Sequence, residues 1–159
     1  MTQEQSLITA EMRATFGVEG PATVREVDRT SIRMFARSVG YTNQVFYDVA
    51  EAKSQGYRDL PAPPGYLGTP VFKPGAGGED GMPRARPGGL TRGLNGGTEY
   101  EYLDDIVAGD ILESRSQTLD MVERKGAMGP MIITRTETNY RRQSDGKVVA
   151  KGTGTGISY

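Results

Sequence analysis

The run Leu94–Tyr102, LNGGTEYEY, alternates acids with phenols, so an extended chain presents Glu99 and Glu101 on one side and Tyr100 and Tyr102 on the other. Paired carboxylates can divide acid and base roles. On a strand, the simpler reading is that these two face solvent or meet a partner's arginines. Gly96 and Gly97 open the run, and their missing side chains let another backbone or a ligand approach closely. A second candidate is basic: Arg84, Arg86 and Arg92 carry a local charge of +3 between Pro83 and Thr98, with no acid among them. Guanidinium forks suit phosphates, and they equally solubilise a Gly-rich loop or contact acids of a partner. A third is KGTGTGISY, with Gly152, Gly154 and Gly156 on one face and Thr153, Thr155 and Ile157 on the other. With no helix expected after it, a phosphate loop is not the expected reading. Close packing of the strand over a helix is the expected reason for its glycines.

What is missing narrows the chemistry further. The 159 residues include no His and no Cys, which removes an imidazole base, a thiol nucleophile, a thiolate-rich metal site and a disulfide. Nineteen Lys and Arg stand against 20 Asp and Glu, a formal charge of −1 that supplies no field for steering a polyanion, so a nucleic-acid partner is not expected. No apolar run approaches the length of a membrane span and the start lacks a basic, then apolar, leader pattern, so the expectation is a soluble cytoplasmic protein. This length suits one compact domain, residues 1–159, with a single core.

Elements must hold these residues in place. Asp28 is a natural N-cap, and Ile32, Phe35, Ala36 and Val39 recur at helical spacing up to Gly40, predicting a helix over Asp28–Val39. Weaker helices are predicted over Ser6–Phe16 and Asp48–Gln55, with a short strand over Ala22–Val27 between the first two helices. Leu60–Pro64, LPAPP, reads as extended chain. A helix begun at Tyr66 meets Pro70 and Pro74 within two turns and must be short. Half of the residues from Pro74 to Gly97 are Gly or Pro, which predicts a long surface loop. Four strands follow, over Thr98–Ile106, Ile111–Lys125, Met131–Gln143 and Val148–Tyr159. The expected arrangement is three successive hairpins, the last with an Asp145-Gly146 type I′ turn, forming an antiparallel meander covered by the Asp28 helix: an α+β fold.

The segments DRTSIRMFARSVGYTNQVFYDVAEAKSQGY, APPGYLGTPVF and LNGGTEYEYLDDIVAGDIL together resemble the MaoC-like dehydratase superfamily, N-terminal-half type, over about Val18 to Ser158. The resemblance implies a hot-dog fold, an antiparallel sheet wrapped around a helix, with two hot dogs pairing edge to edge. It implies (R)-specific enoyl-CoA hydratase or 3-hydroxyacyl dehydratase chemistry on acyl thioesters, with coenzyme A entering as part of the substrate and no other cofactor. In catalytic members the motif after the first helix runs Gly-Asp-x-Asn-Pro-hydrophobic-His. Here Gly40 and Asn43 match, whereas Tyr41 stands for Asp, Gln44 for Pro and Phe46 for His. An ordinary phenol, with a pKa of about 10, is a poor base at neutral pH, and a phenyl ring carries no proton at all.

The resemblance therefore implies a subunit without catalytic residues. It is expected to work in a heteromer beside a hot-dog partner that brings the Asp and His, and to bind an acyl-CoA or acyl-carrier-protein thioester across the interface. The alternative is a homodimeric hot dog that binds acyl-CoA without chemistry. Tyr41 and Phe46 are expected as core or interface fillers, and Asn43 as the holder of its own turn or a contact to substrate. Asn43, Tyr66, Leu67, Thr69, Gly96 and Gly97 are the substrate-binding candidates. Arg84, Arg86 and Arg92 are candidates for the phosphates of coenzyme A. A short helix at Tyr66 would leave room for a bulky acyl group.

Overall fold

The computed structural model describes residues 6–71, 87–127 and 129–159. Among these residues three short helices, α1 (Ala10–Ala14), α2 (Arg29–Ser38) and α3 (Val49–Ser54), accompany five strands: β1 (Thr23–Glu26), β2 (Gly93–Tyr102), β3 (Ile111–Gly126), β4 (Gly129–Arg142) and β5 (Val148–Ser158). Single 3-10 turns stand at Gln44–Phe46 and Tyr66–Gly68, and a tight turn with two left-handed glycines, Gly88 and Gly89, at Pro87–Gly89.

Local capping sets α2 where the sequence places it. The Asp28 carboxylate accepts from the Ser31 amide at 2.9 Å and begins the helix. At the other end Gly40 takes a φ of +80°, and Gly40 and Tyr41 donate their amides back to Arg37 and Ala36, at 3.2 and 2.9 Å. This is a Schellman stop, which needs a residue free to turn left-handed. α3 ends the same way at Gly56, after starting on the Asp48 cap. The predicted helix over Ser6–Phe16 shrinks to the five residues of α1, which bury no side chain and so gain nothing from packing to offset helix nucleation.

The strands form one antiparallel sheet in the order β1-β3-β4-β5-β2. Among the described residues only β3-β4 and β4-β5 are hairpins. The expected hairpin between β2 and β3 does not form, because β2 crosses the sheet to pair with β5, Tyr100 opposite Gly152 and Tyr102 opposite Ala150. The strand predicted over Thr98–Ile106 starts earlier, at Gly93, and stops at Tyr102, so Gly93–Gly97 belong to a strand and not to the predicted loop. Residues 72–86 of that loop lie outside the described part. The Asp145-Gly146 turn is not type I′. The connection runs over Gln143–Lys147, and Gly146 alone in it takes a positive φ, whereas type I′ needs two such residues in succession.

The core lies where α2, α3 and the Leu60–Leu67 segment meet one end of the sheet. Ile32, Ala52, Leu60, Leu112, Val149 and Ala150 are fully enclosed there. The LPAPP segment is extended as predicted and lies along Ile106–Ala108: the Ala62 amide donates to Ile106 at 2.7 Å and the Ala108 amide to Leu60 at 2.9 Å. At the far end of the sheet Ile132 is buried beside Gly88, where an added Cβ would lie 2.8 Å from Leu7.

Candidate functional site

The loop that follows α2 carries the positions where the resemblance predicts lost catalytic groups. The Schellman stop makes Tyr41 the first residue clear of the helix, and a 3-10 turn brings Phe46 back beside it. The two rings pack with centroids 5.5 Å apart. The Tyr41 hydroxyl donates to the carbonyl of Pro64 at 3.3 Å, and the Tyr47 hydroxyl donates to the carbonyl of Tyr41 at 2.5 Å. Asn43 holds its own turn, its Oδ1 accepting from the Val45 amide at 3.1 Å. The Tyr41 phenol thus joins the loop to the Leu60–Leu67 segment, with the Phe46 ring packed against it.

That segment ends in the turn Gly65–Thr69. Gly65 sits at a φ of +88°, one 3-10 turn follows, and Thr69 is already extended, so the helix started at Tyr66 is three residues long. Arg25 of β1 fixes this turn. Its Nη1 donates to the Tyr66 carbonyl at 3.1 Å and to Thr69 Oγ1 at 2.8 Å, and its Nη2 donates to the carbonyls of Thr69 and Leu67. The same guanidinium lies 5.5 Å from the centroid of the Tyr66 ring, within cation–π range. The Tyr66 and Ser31 hydroxyls share a hydrogen bond of 2.7 Å. Between the turn, β1 and the start of α2 opens a cleft of about 430 Å³, lined by Arg25, Asp28, Ser31, Tyr66, Thr69 and Val71 among others. Hydrogen bonds from the Ser31 backbone and side chain hold the Asp28 carboxyl below its ordinary value, so it stays an ionised cap and a weak base.

The sheet supplies the wall behind the turn. Tyr100, Tyr102 and Tyr140 share the core-bearing face, with ring centroids 6.3 Å apart for Tyr100–Tyr102 and 6.4 Å for Tyr100–Tyr140. The Tyr102 hydroxyl accepts from the Gly65 amide at 3.2 Å, and Gly68 faces the Tyr100 hydroxyl. Gly152 lies under this cluster, where an added Cβ would stand 2.9 Å from the Tyr100 ring. The glycine of β5 therefore makes room for tyrosines of the neighbouring strands, and not for a helix as expected. Burial pushes the Tyr140 phenol up to about 12 and raises Tyr102 as well. Both keep their protons at neutral pH and act as hydrogen-bonding groups only.

Besides Asn43, the substrate-binding candidates fall in three places. Tyr66 and Thr69 line the cleft, Leu67 turns into the core at 3% exposure, and Gly96 and Gly97 sit on β2 at a bulge opposite Thr155, where the Asn95 side chain accepts from the Gly97 amide at 2.9 Å. Arg92 is exposed beyond the start of β2 and pairs its backbone with Tyr159, at 2.9 and 3.0 Å. Arg84 and Arg86 lie outside the described residues. Among the described residues no group of acids is arranged to hold a metal ion. Sequence reasoning missed Arg25, Ser31 and Tyr140. Arg25 stands in a four-residue strand and acts on a turn 41 residues away, a link that no local pattern carries.

Comparison with known proteins agrees with this architecture. The profile described as FAS1-like, dehydratase domain region, matches residues 14–151. A UPF0336 protein of Parafrankia sp. (strain EAN1pec) is 36% identical over 131 residues, 80% of each chain, and one of Streptomyces avermitilis is 35% identical over 92 residues, 58% of this chain and 60% of its own. Among solved structures, the ChsH1-ChsH2 complex from Mycobacterium tuberculosis superimposes with a TM-score of 0.74 at 15% identity, covering 94% of this chain and 88% of the other. The HadBC (3R-hydroxyacyl-ACP dehydratase) complex from the same organism gives 0.66 at 20% identity, covering 88% and 93%. No helix among the described residues is long and apolar enough to cross a membrane. With the profile spanning most of its length and these structures superimposing over nearly all of it, the chain belongs to the FAS1-like dehydratase-region family and has the hot-dog fold of the MaoC-like dehydratases.

Proposed function

We propose that this chain is the non-catalytic, substrate-binding subunit of a heteromeric (R)-specific enoyl-CoA hydratase or 3-hydroxyacyl dehydratase, working in the cytoplasm on acyl thioesters with no cofactor of its own. The observation that carries the reading is the Tyr41–Phe46 pair: the loop is folded and capped, and its two motif positions hold a phenol and a phenyl ring packed on each other. Hydration removes a proton from water, adds the hydroxide at C3 and delivers a proton to C2, so some group must cycle protons near neutral pH. The phenols of Tyr102 and Tyr140, raised by burial, cannot do so. An Asp and a His on a hot-dog partner would. This chain shapes the acyl site: Arg25 holds the Gly65–Thr69 turn, and the tyrosines of β2 and β4 form the wall behind it. The helix after Gly65 is a single turn, which favours a bulky acyl group. Support for a partner also comes from the two neighbours above, each solved as a complex of two named components.

The test is turnover. The purified chain, incubated with crotonyl-CoA and with a bulkier enoyl-CoA, is expected to leave the enoyl absorbance at the buffer rate. Adding a hot-dog subunit with the intact Asp and His motif restores hydration. Sustained hydration by the isolated chain overturns the proposal. Tight acyl-CoA binding by the chain alone, with no effect of any such partner, points to the homodimeric binding protein instead.

A further inference from the structure

β2 is a terminal strand of the sheet, bonded on one side to β5 and, among the described residues, to no strand on the other. Along such an edge, alternate amides and carbonyls point outward and form a template for another strand. The bulge at Asn95–Gly97 interrupts the regular ladder, leaving Gly97–Tyr102 as the straight part of the edge. Its side chains are sorted by face. Tyr100 and Tyr102 belong to the tyrosine wall, while Glu99 and Glu101 are exposed on the opposite face. Behind them on that face stand Thr153 and Lys151 of β5, with Glu137 of β4 beyond Thr153, so three glutamates share the patch with one lysine.

A second copy of this chain fits this edge poorly. In an antiparallel pair, directly opposed residues share a face, so a two-fold axis between two β2 strands must pass through a residue. An axis at Glu99 sets that residue against its own copy, and an axis at Glu101 does the same there. An axis at Tyr100 sets Glu99 against Glu101 twice. An axis at Thr98 leaves the two Glu99 side chains diagonal to each other. Every register centred on Thr98 to Glu101 therefore places like charges side by side, which is unfavourable in a sheet.

We propose that the β2 edge selects against a second copy of this chain and for a strand of another protein that presents Lys or Arg opposite Glu99 and Glu101. This deepens the heteromer reading above and rests on it, naming the chemistry by which the partner is recognised. Lys151 stands opposite Glu101 on the β5 side, so Glu99 is the more dependent of the two on an incoming cation.

Sedimentation of the full chain, without substrate or natural partner, tests it. The unmodified chain at micromolar concentration and low salt is expected to be monomeric. The neutral variant Glu99→Gln/Glu101→Gln is expected to self-associate about tenfold more tightly, the size of two relieved like-charge pairs. The reversed variant Glu99→Lys/Glu101→Lys, mixed with the unmodified chain, is expected to form a one-to-one dimer that weakens as salt is raised. Circular dichroism of each variant confirms folding, and because all four substitutions lie on exposed positions the neutral pair serves if the reversed pair misfolds. A tight dimer of the unmodified chain, unchanged by neutralising the two glutamates, overturns the proposal, as does failure of the mixture to associate. Neither result bears on whether a catalytic partner restores hydration, so the two readings fail separately.

Discussion

Gly65 shows how much a single position bears. Its φ of +88° lies in the left-handed region, and an added Cβ would stand 3.3 Å from the Phe35 ring. Gly65→Ala is expected to lower stability by about 1–3 kcal/mol through backbone strain and crowding together, read as a lower urea midpoint. Its amide meets the Tyr102 hydroxyl, which ties the turn to β2. Because Gly65 is exposed, water can replace that acceptor, and Tyr102→Phe is expected to cost no more than about 1 kcal/mol. A loss several times larger in Tyr102→Phe would mean that the amide is far less open to water than its exposure indicates. Tyr41 and Phe46 make a related point. Their chemistry was legible from residue type alone, because no fold turns a phenyl ring into a proton carrier.

At the scale of elements, Arg25 couples β1 to the Gly65–Thr69 turn through four hydrogen bonds, and only a planar fork spans those acceptors together. Arg25→Lys keeps the charge and loses the fork. Hydrogen exchange over residues 65–71 should then quicken by about tenfold or more, as about 1.4 kcal/mol or more of local protection is lost, while α2 keeps its protection. Unchanged exchange in that segment would show that the turn holds itself. The helices were the legible elements, since Asp28, Gly40, Asp48 and Gly56 act on amides and carbonyls within a few residues of themselves. The strand pairing was not. β2 is followed in the chain by β3 but bonded to β5, and the choice depends on which faces must be buried together.

Across the whole molecule, Arg142 gathers distant pieces. It is buried, bonded to Asp104 at 2.7 Å and Asp145 at 2.8 Å, and donates to the Asp105 carbonyl at 3.0 Å, so the end of β4 is tied to the connection after β2. Asp110, itself enclosed, is bonded by Arg58 and by the Val107 amide, 3.9 Å from the same guanidinium. Arg142→Met is expected to cost about 2–4 kcal/mol, since it strands the neighbouring carboxylates; the figure is kept modest because Asp145 is 44% exposed and screened by water. The pH dependence follows from the same cluster. Lys147 and Arg142 hold the Asp104 carboxyl well below its ordinary 3.8, and Arg142 lowers Asp145 in the same direction. A carboxyl depressed in the folded state binds its proton more readily when unfolded. Its stabilisation is therefore full above about pH 5 and is lost as pH falls through 3.8 and below. Urea midpoints from pH 7 to pH 2 should be flat and then fall, and Arg142→Met should flatten the fall. A midpoint that rises on acidification would contradict the cluster.

By itself the sequence determined the chemistry that is missing and the local geometry: no imidazole, no thiol, capped helices, an extended LPAPP segment and an alternating LNGGTEYEY strand. These rest on residue type and on contacts within one or two turns of chain. Tertiary structure alone decided the partner of β2, the Arg25 fork, the tyrosine wall and the Arg142 cluster. Each of these joins groups tens of residues apart, and the free energy that selects them comes from burying faces together, which no stretch of sequence can express alone.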